Sequence, residues 1–282
     1  MTWTSLGSLA GRKNILFGFA LNYKLISGNG DHDALVAREC TIVTHENAMK
    51  WEGIHPERDR YTFTQADAIV DFAERHAMKV RAYLLLASRA APVGQARCDE
   101  AQCRGGSGEH IATVAGRYKG RLHSWDVVNE AIQLKDNQPG GWKNSFWYTV
   151  PICALGIQSH LRAATGENFA PDLPIFIAKV RDLGLDIYIT ELDVDDSHLT
   201  TTGIARDAAV VEVYQRYLDL VLSTGSVSVA ITWGAWDIVR PVGAEAVSGP
   251  SAQHPLLFAP GGDPTSAPAA AAQSLRRAPP RR

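Results

Sequence analysis

The 282 residues are enough for one large domain with its own core, and 28 basic against 30 acidic side chains leave no charge excess to hold nucleic acid or an anionic membrane. No apolar run reaches the ~20 residues of a membrane span, and Met1–Gly7 has neither the basic start nor the apolar centre of a signal peptide. An uncharged polymer fits this balance as a partner. A monomer is expected.

In chain order, residues 14–21 form an apolar run of the kind found in a strand buried on both faces, and a short helix follows over 33–38. A second strand over 40–44 ends in His45-Glu46-Asn47 and continues into Lys50-Trp51-Glu52. Residues 63–77 place Ala66, Ile69, Val70, Phe72 and Ala73 at helical spacing, which predicts an amphipathic helix lying on a sheet. A third strand follows over 79–87, then a helix over 110–118 and a strand over 121–130. The run 152–160 reads as the next strand and 172–183 as a helix stopped by Gly184. A strand over 186–190 delivers Glu191, and a helix over 205–222 and a strand over 227–233 complete the series. Alternating strands and helices predict an α/β fold on a parallel sheet. Residues 1–262 read as one domain and 263–282 as a tail, a frayed helix or disorder over its Ala/Pro/Arg-rich part.

Cysteine usage implies no metal. Cys40 and Cys153 sit in apolar runs and are expected to be buried, whereas Cys98 and Cys103 share a polar loop at a spacing that permits a disulfide.

Two runs carry chemistry. Arg121-Leu-His-Ser-Trp-Asp-Val-Val-Asn-Glu130 and Leu185-Asp-Ile-Tyr-Ile-Thr-Glu191 each bring a carboxylate to the end of a strand rich in β-branched and aromatic residues. A strand-end acid alone is more often a solvated loop carboxylate, but a facing pair can cleave a glycosidic bond. With Thr44-His-Glu-Asn-Ala-Met-Lys-Trp-Glu52, Gly156-Ile-Gln-Ser-His160 and Ile231-Thr-Trp-Gly234, five segments in order resemble glycoside hydrolase family 10, the retaining endo-β-1,4-xylanases.

That resemblance implies a (β/α)8 TIM-barrel type of fold acting on xylan or xylo-oligosaccharides without metal or organic cofactor. It makes Glu130 the general acid/base and Glu191 the nucleophile, with Asn129 on the sugar 2-hydroxyl. Glu46, Asn47, Lys50, Gln158 and His160 would line the sugar subsites, with Asp193 supporting the nucleophile and Trp233 forming a platform beneath the sugar. The family is usually secreted or periplasmic.

Three departures limit the likeness. Where the family reads Arg-Gly-His-Thr and then Trp-His, this chain has Ala82, Tyr83 and Leu84 after Arg81, then Ala87-Ser88. Codons chosen for Arg81–Ser88 and read one base later spell Gly-His-Thr-Phe-Phe-Trp-His, so residues 82–108 read either as an out-of-frame stretch or as ordinary divergence. Arg240-Pro241 replaces the Ser-Trp expected beyond Asp237. Finally, 22 positions separate Glu130 from Ile152, room for one crossover where two units of roughly 30 residues would be needed. The expected barrel is therefore incomplete, with about seven strand-helix units and the fifth absent. The alternative function is an impaired or inactive family member that at most binds xylan.

Overall fold

A computed structural model describes residues 4–26, 30–57, 59–82, 100–126, 153–163, 169, 172–201, 203–236, 255–259 and 266–281. The chain packs as two compact units, one of Met1–Leu21, Gly28–Ile42 and Ile152–Arg282, the other of Asn22–Ser27 and Val43–Pro151. Its described strands are β1 (Leu16–Leu21), β2 (Ile42–His45), β3 (Lys79–Ala82), β4 (Ser124–Trp125), β5 (Ala154–Ile157), β6 (His160–Arg162), β7 (Asp186–Asp195) and β8 (Val227–Thr232). Its main helices are α1 (Leu6–Gly11), α3 (Gly30–Glu39), α5 (Thr64–Arg75), α6 (Glu100–Arg117), α7 (Leu173–Asp182), α8 (Ile204–Ser223) and α9 (Ser266–Arg277); α2 (Tyr23–Ile26) and α4 (Trp51–Ile54) are single turns.

In the first unit the strand order is β1-β8-β7-β5, with the short β6 also on β7, and every pairing is parallel. Such a sheet needs helices on its faces, and its strands are accordingly apolar: all six residues of β8 are buried. Ile42, Val229 and Ile231 form a core cluster against which Leu16 and Tyr188 pack. Gly18 is the residue that lets β1 lie there. A Cβ at this position would stand 1.6 Å from the Ile42 carbonyl oxygen, so a side chain cannot be housed without moving backbone.

In the second unit β3 lies between β2 and β4, again parallel to β4, with Arg81 opposite Ser124 and Ala82 opposite Trp125. Helix α5 buries Ala66, Ile69, Val70, Phe72 and Ala73, the stripe its spacing predicts. It ends in a left-handed Ala77 (φ 53), whose N–H reaches the Glu74 carbonyl while that of Met78 reaches Ala73. Helix α7 ends the same way on Gly184 (φ 77), the expected stop residue.

Among the described residues seven strands stand on the main sheet path, with helices between strands in chain order, the arrangement of an incomplete (β/α)8 barrel. Several local expectations are corrected. Cys153 is exposed rather than buried, because it precedes β5, whose residues are themselves at best half-buried; Cys40 is buried, in the connection ahead of β2 rather than within a strand. The expected strand over 152–160 is broken into β5 and β6 by a left-handed Ser159 (φ 68). The C-terminal segment is neither frayed nor disordered over 266–277. It forms α9, which buries Ala267, Ala270, Ala271, Ala272 and Leu275 and packs on α8 and α1. The apolar face made by its alanines is what a reading based on composition overlooks. Beyond it, the Arg281 N–H donates to the Lys13 carbonyl at 2.9 Å, and its guanidinium pairs with Asp186. Cys98, the side chain of Cys103, and residues 83–99 and 127–152, including the expected site of the missing unit, lie outside the described residues.

Candidate active site

Strand β7 carries the centre of the site. Opposite β5 it runs Ile157 against Ile189, but opposite β6 it runs His160 against Asp193, so β7 takes four steps where its neighbour takes three. Against β8 the register slips in the same place, between Ile189 and Leu192. This bulge flips the face each residue presents. Ile187 and Ile189 are buried before it, Leu192 and Val194 after it, and Glu191 and Asp193 are left together on the other face. The strand also runs four residues beyond Glu191, to Asp195, because β6 supplies a partner there.

Glu191 is 4 % exposed, and a buried carboxylate needs hydrogen-bond donors. Gln158 Nε2 donates to its Oε1 at 3.3 Å and His160 Nε2 lies 3.3 Å from its Oε2. The backbone N–H of Glu191 donates to the Gln158 carbonyl at 3.0 Å. The other ring nitrogen of His160, Nδ1, lies 2.9 Å from Asp193 Oδ1. Hydrogen bonds to Asp193 and then to Glu191 push the His160 imidazole up to about 9, against burial, so at neutral pH it is a cation donating from both nitrogens. The half-buried Trp233 indole and the His160 ring lie nearly perpendicular, with centroids 6.4 Å apart. Five of the expected residues, Gln158, His160, Glu191, Asp193 and Trp233, are thus one group.

Glu46, Asn47 and Lys50 form another group, on the second unit. Lys50 Nζ donates to Asn47 Oδ1 at 2.9 Å, and Asn22 Nδ2 donates to Glu46 Oε2 at 3.2 Å. Asn22 was not singled out by the sequence, since a single amide after an apolar strand carries no pattern. Asn129 and Glu130 lie outside the described residues. The strand leading towards them is anchored by a further pair without a sequence signal: the guanidinium of the buried Arg81 bonds Asp126, and Thr44 Oγ1 donates to the Arg81 carbonyl at 2.9 Å. Among the described residues no group of three or more His, Cys, Asp or Glu side chains is placed to hold a metal ion.

A parallel α/β barrel with a buried glutamate on one strand, held by an amide and an imidazole beside a half-buried indole, has the fold of a glycoside-cleaving enzyme. The chain belongs to glycosyl hydrolase family 10, whose profile matches residues 5–150 and 148–273. It is 28 % identical to endo-1,4-beta-xylanase B of Thermotoga neapolitana over 81 % of this chain and 80 % of that one, and 41 % identical to a beta-1,4-xylanase of Dictyoglomus thermophilum over 42 % and 33 %. Among solved structures, native xylanase 10B of Thermotoga maritima superposes with a TM-score of 0.82 at 27 % identity, covering 97 % of this chain and 98 % of that one. Xylanase 10B of Thermotoga petrophila, in complex with xylobiose, gives a TM-score of 0.83 at 27 % identity over 98 % of each chain.

Proposed function

We propose that the protein is a retaining endo-1,4-β-xylanase. The observation that carries this reading is the buried Glu191 carboxylate held on one oxygen by Gln158 and on the other by His160. A carboxylate gripped in this way keeps one orientation, as attack on an anomeric carbon requires. Family membership and the xylobiose complex of the Thermotoga petrophila relative support xylan as the substrate.

In the first step Glu191 attacks the anomeric carbon as Glu130 gives its proton to the leaving oxygen, forming a glycosyl ester on Glu191. In the second, Glu130 as carboxylate takes a proton from water, which displaces Glu191 and restores both groups. Asn129 holds the sugar 2-hydroxyl, Glu46, Asn47 and Lys50 bind neighbouring hydroxyls, and Trp233 supports the ring. Both carboxylates come from one chain, and the enzyme acts as a monomer. Neither step calls for a metal or organic cofactor.

A second reading rests on the step of 22 positions from Glu130 to Ile152, too short for a complete fifth unit: a protein that binds xylan without cleaving it. Release of the phenol from an aryl β-xylobioside separates the two. Turnover that falls by at least about a thousandfold in Glu191→Ala supports the hydrolase, removal of a nucleophile being a loss of that order or more. Xylan retention with no turnover above that variant establishes the binding protein.

A further inference from the structure

The contacts of Glu191 depend on a backbone conformation that its surroundings must hold. Ser159 separates Gln158 from His160 and lies at φ 68, in the left-handed region that a Cβ disfavours. The two strand pieces on either side of it pair with β7 in different registers, and the Gln158-Ser159 link absorbs the difference. Its conformation lets Gln158 and His160 both reach Glu191.

The Ser159 hydroxyl donates to the Ile157 carbonyl at 3.2 Å and lies 2.5 Å from the Tyr217 hydroxyl. A serine has one hydroxyl proton, so the Tyr217 hydroxyl is the donor in the shorter contact. Tyr217 comes from α8, is 2 % exposed, and its ring makes an edge contact with that of Phe169, centroids 5.2 Å apart. We propose that Tyr217, acting through Ser159, is a positioning residue for the reaction: its hydroxyl holds the left-handed link that presents Gln158 and His160 together to Glu191. The proposal rests on Glu191 as the reacting carboxylate.

The test uses the full chain with Tyr217→Phe and Ser159→Gly, which remove the bond from opposite ends, the second without straining the backbone. Tyr214→Phe is the control. It removes another buried hydroxyl bond of α8, the 2.7 Å contact with the Pro255 carbonyl. The readouts are the NMR titration of the His160 imidazole and the kcat and KM on the aryl β-xylobioside. Among the described residues the charged groups facing His160 are Asp193 and Glu191, both on β7, and their contacts hold its midpoint up to about 9. Loosening the link is expected to lower that midpoint by about one unit or more and kcat by about tenfold, with KM within about twofold, in both variants and not in the control. Wild-type titration and kcat in both variants, or the same losses in Tyr214→Phe, overturn the proposal. If Tyr217→Phe does not melt cooperatively, Ser159→Gly decides. If the wild-type protein shows no turnover, the titration alone decides, so failure of the hydrolase reading leaves the positioning role tested.

Discussion

His160 owes its charge to two carboxylates, and the shorter of its two contacts is with Asp193 at 2.9 Å. Replacing Asp193 by Asn keeps the shape and one acceptor but removes a full negative charge, so the imidazole is expected to titrate well below its present value of about 9. NMR of the ring protons checks this directly, and activity should fall by roughly ten- to a hundredfold as the grip on Glu191 loosens. Stability changes with it. A histidine whose folded value lies above its unfolded value of about 6.5 contributes stability that is complete below pH 6.5 and lost as pH rises through about 9. Between pH 6.5 and 9 the melting temperature of the wild type should therefore decline more steeply than that of Asp193→Asn.

Elements end and pack here through backbone requirements that two substitutions can measure. Helices α5 and α7 finish with the same pair of hydrogen bonds, one on Ala77 and the other on Gly184. Alanine in the left-handed region costs roughly 1–2 kcal/mol, of which the extra freedom of an unfolded glycine returns part. Ala77→Gly is thus expected to raise unfolding free energy by up to about 1 kcal/mol in denaturant titration. Gly18→Ala should do the reverse. Its new Cβ would fall 1.6 Å from the Ile42 carbonyl oxygen, and parting two backbone segments of a packed core should cost about 3 kcal/mol or more, read as a lower denaturation midpoint. Helix α9 belongs to the same scale: Leu275 is 1 % exposed, and Gln273 bonds Gln215 of α8 at 2.7 Å. Its short side chains allow a close approach to α8 that low hydrophobicity conceals.

At the scale of the molecule, acid should be the weak side. His32, His45 and His110 are each at most 2 % exposed, and burial lowers each of them to about 4. For a base depressed in this way, the unfolded chain binds protons first, so stability is complete above about pH 6.5 and falls as pH drops towards 4. Each histidine should remove about 2 kcal/mol between pH 7 and 5, and calorimetry over that interval should show a clear fall in melting temperature. The His32→Gln variant, lacking one of these bases, should fall less. By itself the sequence determined the alternation of strands and helices, the buried stripe of α5 and the Gly184 stop, and its resemblance to a family singled out Glu191, His160 and Asp193 as candidates. Those features are written in local periodicity or in short runs of residues. The bulge at Thr190-Glu191, the left-handed Ser159 held by Tyr217, the seating of α9 on α8 and the approach of Gly18 to Ile42 were decided by the tertiary structure. Each depends on a partner tens of residues or more away in the chain, or on a neighbouring strand's register, and no local pattern records which atoms will meet there.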